Sequence, residues 1–133
     1  TAIPAEISEP PYEIGDLVVE TGHYITRGED RPKINLRIEE SRFRLYWIDE
    51  NGLIAEPEAA EATVRLRGSV VGRPYHYLEM LPSGEGLGAV SLLTPPNIYN
   101  VQLAILPEEP GEEATVYSFR YVPALNVEKD PTL

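Results

Sequence analysis

Apolar and polar positions alternate along much of the chain in short runs. Residues 33–39 set Ile34, Leu36 and Ile38 against Lys33, Asn35, Arg37 and Glu39, and residues 42–48 set Phe43, Leu45 and Trp47 against Arg42, Arg44 and Tyr46. A period of two places alternate side chains on opposite faces of a strand, so each run predicts a strand with one face on a core and one in water. Ala62, Val64 and Leu66 alternate with Thr63, Arg65 and Arg67 in the same way. Further runs at 16–26 (interrupted at Gly22), 74–81, 88–93, 99–106 and 114–122 bring the total to about eight. Turn chemistry separates them: Asp49-Glu50-Asn51-Gly52, Pro82-Ser83-Gly84-Glu85-Gly86, Pro95-Pro96-Asn97 and the acidic stretch 107–113. Asparagine and glycine tolerate the positive φ of tight turns, and proline presets their bends.

The 13 prolines punctuate the chain too often for long helices, since each removes a backbone donor and pushes the residue before it out of the α region. One helical turn within the alanine-rich stretch 55–62 is the most that the pattern predicts. Residues 1–15, with Pro4, Pro10 and Pro11 among glutamates, and residues 123–133 read as extended arms around a body at 16–122. A chain of 133 residues has material for one core rather than two.

Strands with one apolar face each must bury that face against another sheet or against the same sheet closed on itself. The expectation here is all-β with little or no helix, an antiparallel sandwich of about seven to nine strands. Trp47, the only tryptophan, lies on the third run after Leu36, and Tyr99-Asn100-Val101 opens a late one. This arrangement resembles immunoglobulin-like domains over residues 16–122. The resemblance implies a core tryptophan on one strand, a corner tyrosine at Tyr99, and Leu36 and Val101 at the places that cysteines usually hold. It implies no ligand, because unrelated functions share this fold.

The formal net charge of −11 repels phosphates and anionic headgroups, which argues against nucleic acid and membrane surfaces as partners. No apolar run approaches the roughly 20 residues that span a bilayer as a helix. With cysteine absent, disulfides, thiolate metal sites and cysteine nucleophiles are excluded. A start at Thr1 without methionine suits removal of an export signal or a trimmed chain, and with the fold class it sets an extracytoplasmic, periplasmic expectation.

The serines sit in no Gly-x-Ser-x-Gly turn and the two histidines are far apart, so the sequence predicts neither an enzyme nor a cofactor. His76 and Met80 share a strand face and would form a copper-favouring nitrogen and sulfur pair, with His23 as a third ligand if its strand is adjacent. The simpler reading makes Leu78 and Met80 core residues and places His76 at a sheet margin. Arg37, Arg44, Arg65 and Arg67 occupy the polar phase of their strands and, with Tyr46, would form a solvent-facing ladder able to take a carboxylate or phosphate. Cross-strand pairing with Glu39, Glu40 and Glu61 is the plainer alternative. The functional expectation is a noncatalytic binding or adaptor module that presents loops or a sheet face to a protein partner, with an exported or cell-envelope system as one setting. A metal-handling or small-ligand carrier is the second.

Overall fold

The computed structural model describes residues 12–18, 20–27, 31–68, 74–93, 99–109 and 111–122, together with the backbone of 126–129. Ten strands follow one another: β1 (His23–Thr26), β2 (Lys33–Glu39), β3 (Arg42–Ile48), β4 (Ile54–Ala55), β5 (Glu61–Arg67), β6 (Tyr75–Met80), β7 (Leu87–Ala89), β8 (Tyr99–Ile105), β9 (Thr115–Tyr121) and β10 (Asn126–Lys129). Among the described residues there is no helix. The stretch in which one helical turn was expected is instead β4 followed by irregular chain, with Ala59 pressed into the core.

The strands form one sheet in the order β10-β1-β2-β3-β7-β6-β5-β8-β9, with β4 attached to β3. β1 to β9 are antiparallel to their neighbours, and β10 lies parallel to β1. The short strand β7 joins what would otherwise be two layers. Gly88 pairs with Arg44 of β3 on one side and Glu79 of β6 on the other. The expected pair of sheets is therefore one continuous ladder, and the sheet curls on itself to bury its apolar face.

The curl brings the two ends of the sheet together into a nearly closed barrel. β1 pairs with β2 only as far as Leu36, which leaves later backbone donors of β2 open. The Ile38 N–H donates to the Tyr121 hydroxyl at 3.2 Å, and His23 of β1 stacks flat on Phe119 of β9, their centroids 3.8 Å apart. Side chains of β9 thus satisfy and cover an edge that would otherwise invite foreign strands.

The interior is filled by the apolar phase read from the sequence. Leu36, Phe43, Leu45, Trp47 and Val101 all belong to one core cluster, with Ile34, Val64, Leu78, Leu103, Tyr117 and Tyr121. A second cluster lies outside the barrel wall: Tyr12, Val18, Tyr24, Tyr46, Ile48 and Ile54 pack over the outer face of β1 to β3. Residues 12–18 hold this cover in place. The Gly15 N–H donates to the Ile54 carbonyl and the Ile54 N–H to the Asp16 carbonyl, at 2.8 and 2.9 Å, while Leu17 bridges to Leu53.

Both arms therefore need correction where they are described. Tyr12 is buried in the second cluster, so the folded body starts before residue 16. β10 docks along β1, so the tail contributes a strand. The rest of both arms, residues 1–11, 123–125 and 130–133, lies outside the described residues.

Candidate functional site

The structure splits the expected arginine ladder in two. Arg37 and Arg44 face each other directly across β2 and β3, whereas Arg65 and Arg67 lie on β5, which is separated from β3 by β7 and β6. All four keep the outward phase, but they do not share one solvent-facing surface. Arg37 is fully buried, and so is Tyr46, because residues 12–18 cover this part of the wall. Arg37 Nε donates to Asn35 Oδ1 at 2.5 Å and Nη2 to the Tyr24 hydroxyl at 3.2 Å. Its guanidinium carbon stands 5.5 Å from the centroid of the Tyr46 ring. Glu39 Oε1 is 3.8 Å from Arg37 Nη1, and neither atom has a hydrogen-bond partner. Burial outweighs the attraction of Arg37 and Arg44 and raises the Glu39 carboxyl above its ordinary range.

The set His23, His76 and Met80 is likewise divided. β1 and β6 are not neighbours; β2, β3 and β7 lie between them. His76 is buried with its ring edge-on to Phe43, at 5.4 Å between centroids, and is not at the margin. Met80 ends β6 and is 44% exposed, not a core residue. Among the described residues no three of histidine, cysteine, aspartate and glutamate converge to hold a metal ion.

Three surfaces emerge instead. The first is the outer face of β5, β6, β8 and β9. Arg67, Asn100 and Arg120 form one rung across β5, β8 and β9, and Arg65, Gln102 and Ser118 form the next. Tyr75 opposes Arg65 from β6, and the Arg65 guanidinium lies 5.5 Å from its ring centroid. Tyr77 follows on the same face, with Glu61 and Glu79 beyond it. Tyr75 and Tyr77 are 60% and 45% exposed. The face thus runs from a basic end through two phenols to an acidic end. Among the described residues Arg65, Arg67 and Arg120 have no carboxylate partner. A hydrogen bond with Glu61, together with slight desolvation, pushes the Tyr77 phenol up to about 12.

The second is one mouth of the barrel, a cleft of about 580 Å³ between Arg27, Trp47, Glu58, Tyr117 and the glutamates of the β8–β9 loop. Here Arg27 is buried and doubly bonded to Glu58, Nη1 to Oε1 at 3.2 Å and Nη2 to Oε2 at 2.8 Å. Its Nε and Nη2 also donate to the Pro32 carbonyl. Partial burial works against the Glu58 charge, but the hydrogen bonds and charges of Arg27 and Arg31 prevail and lower its pKa.

The third is a cavity of about 450 Å³ beside the buried Arg37, bounded by Tyr12, the β2–β3 turn, Arg44 and the β6–β7 loop. The turn is a two-residue hairpin connection in which Glu40 and Ser41 both take positive φ, 51° and 63°, a conformation that asparagine and glycine adopt at less strain. The loop approaches β3 closely at Gly86, where a Cβ would stand 2.6 Å from the Leu45 carbonyl oxygen. Arg44 packs against Gly88, where a Cβ would come within 2.7 Å of its Nη1. Two glycines therefore let the β6–β7 loop and β7 lie close against β3 and Arg44.

The phase of Tyr75 and Tyr77 was readable from their alternation with His76 and Leu78. Arg120 lay within a predicted strand as an unremarked polar position. Glu85 carried no signal: in a glycine-rich turn it reads as a solvated charge, yet it is buried. Compared with models of protein families, with curated proteins and with solved structures, the chain matches none of them.

Proposed function

We propose that this domain is a noncatalytic binding module and that its docking face is the outer surface of β5, β6, β8 and β9, taking an acidic segment of a protein partner. The observation that carries this reading is the set Arg65, Arg67 and Arg120, three arginines without acidic partners among the described residues of a chain of net charge −11, beside exposed Tyr75 and Tyr77. Arginine and tyrosine are the residues that interfaces favour, because each combines a broad surface with directed hydrogen bonds. A guanidinium fork holds a carboxylate by two parallel bonds. The phenol of Tyr77, pushed up to about 12, stays protonated at neutral pH with its proton held by Glu61, so it offers a partner its ring face and an acceptor oxygen rather than a proton. The overall negative charge disfavours a nucleic acid on the same face.

Selection of random displayed peptides on the purified domain tests this proposal. Binders should be enriched in aspartate and glutamate with interspersed apolar residues. Their affinity should fall by about tenfold or more for Arg67→Glu and for Tyr75→Ala, the usual effect of altering a residue at the centre of an interface. Selected peptides without an acidic bias, or with unchanged affinity for Arg67→Glu, would overturn it.

A further inference from the structure

The cavity beside Arg37 lies on a different wall of the barrel from the proposed docking face and contains groups that the fold leaves unsatisfied. Glu85 is only 3% exposed, it lines the cavity, and its Oε2 has no hydrogen-bond partner. Glu39 also lines the cavity; its Oε2 accepts from the Tyr46 hydroxyl at 3.4 Å, and its Oε1, 3.8 Å from Arg37 Nη1, is a second buried carboxylate oxygen without a hydrogen-bond partner. A carboxylate oxygen removed from water and given no donor is costly, and such groups in native proteins call for a specific explanation.

Three glutamates, Glu39, Glu40 and Glu85, line the cavity, and the two that are buried or half-buried each keep an oxygen without a donor, which creates a demand for a cationic donor. A second demand, of opposite sign, comes from Arg44. Its Nη1 donates to the carbonyls of Phe43 and Ala89, at 3.2 and 3.0 Å, and among the described residues it forms no ion pair. Between these charges Tyr12 and Tyr46 supply an aromatic wall, their rings 79° apart and their centroids 5.6 Å apart. The volume of about 450 Å³ is that of a small-molecule site, and an apolar wall with a few polar groups is the usual make-up of one.

We infer that this cavity binds a small zwitterion of α-amino acid chemistry, its ammonium between Glu39 and Glu85, its carboxylate on Arg44 and its side chain along Tyr12 and Tyr46. The ammonium supplies the donors that the two glutamates lack. Arg44 fixes the other end, so a ligand with only one of the two charges is held at one end alone.

The test is a titration of the whole domain, followed by NMR and calorimetry, with each of the common L-amino acids. The amine lacking the carboxylate and the acid lacking the ammonium of the best binder serve as controls. At least one amino acid should bind saturably, and each control should bind about tenfold or more weakly, as expected when one charged interaction is removed. Arg44→Ala should lower the affinity for the amino acid to that of its amine, and Glu85→Gln should weaken both while the urea midpoint stays in place or rises, as neutralising a buried carboxylate without a donor predicts. Should Glu85→Gln fail to fold, Glu39→Gln and Arg44→Ala give the same discrimination. Absence of saturable binding across the panel at about 10 mM, an affinity too weak to be specific, would overturn the inference. Binding that Glu85→Gln and Arg44→Ala leave unchanged would do so too.

Discussion

Two arginines of this barrel are each buried, each sits beside a glutamate, and the two pairs behave in opposite ways. Arg27 holds Glu58 with two short hydrogen bonds and the carboxyl is stabilised in its charged form. Arg37 stands 3.8 Å from Glu39, both leave an atom unpartnered, and the carboxyl is pushed toward its neutral form. The cause is where each acid is attached. Glu58 sits on irregular chain after β4 and is 37% exposed at its side chain, so it can move to meet a guanidinium that projects from the end of β1. Glu39 is two residues from Arg37 on the same strand, a spacing of about 7 Å that the sheet holds rigid. Arg44 directly opposite Arg37 adds a like charge to the pair. A salt bridge formed with a loop can adjust to good geometry, while one formed within a strand takes the geometry the strand allows.

Removing each arginine in turn should separate the two pairs most widely. Arg37→Ala should cost about 3–5 kcal/mol in urea unfolding, as when one partner of a buried charged network is deleted. Arg27→Ala should cost less, about 1–3 kcal/mol, because Glu58 can turn to water. Equal losses would refute the contrast. Next in size, Tyr12→Ala should cost about 2–4 kcal/mol for the aromatic ring it deletes. It should also shrink the effect of Arg37→Ala measured in the same background, because water then reaches the guanidinium.

A smaller effect distinguishes the two acids by pH. For Glu39, whose pKa is raised in the fold from about 4.5, the contribution to stability is fully present below that value and is lost as pH rises through the folded pKa. For Glu58, whose pKa is lowered from the same value, the contribution is present above about 4.5 and is lost as pH falls through the folded pKa. Glu39→Gln should therefore gain on the wild type as pH is raised from acid to neutral, and Glu58→Gln should lose. Urea midpoints across that range, taken at constant ionic strength, should show differences of opposite slope. Smallest of all, Arg65→Ala should change stability by no more than about 0.5 kcal/mol, since its guanidinium is exposed and its role is proposed to be in binding.

The sequence revealed the strands better than it revealed their surroundings. β2 and β3 fall at the predicted residues, and the inward phase of Leu36, Phe43, Leu45 and Val101 follows from alternation alone. Alternation says nothing about what covers the other phase. Arg37 and Asn35 look like solvent-facing positions, and only the burial of Tyr24, Tyr46 and Ile48 on the same outer face shows that a second cluster lies there. A hint was present in Tyr46-Trp47-Ile48, three bulky residues in succession that suit a strand buried on both sides. Closure into one sheet depended on β7, whose three residues overlap the predicted run at 88–93 but whose pairing with both β3 and β6 alternation cannot show. The cavity was illegible because its walls come from Tyr12, β2, β3 and the β6–β7 loop, segments that only the folded topology brings together.

The parallel pairing of β10 with β1 bears on how the chain reaches its fold. His23 and Asn126 are partners about 100 residues apart in sequence, the kind of pairing whose loop-closure cost slows folding. β9 and β10 stand at opposite ends of the strand order yet are joined by four residues, a reach of at most about 18 Å between Tyr121 and Asn126. During synthesis the β1 edge is made early and waits for its last partner until residues 126–129 have been added. A nascent chain halted before that point carries an unprotected strand edge, and its hazard is pairing with a neighbouring copy rather than simple unfolding.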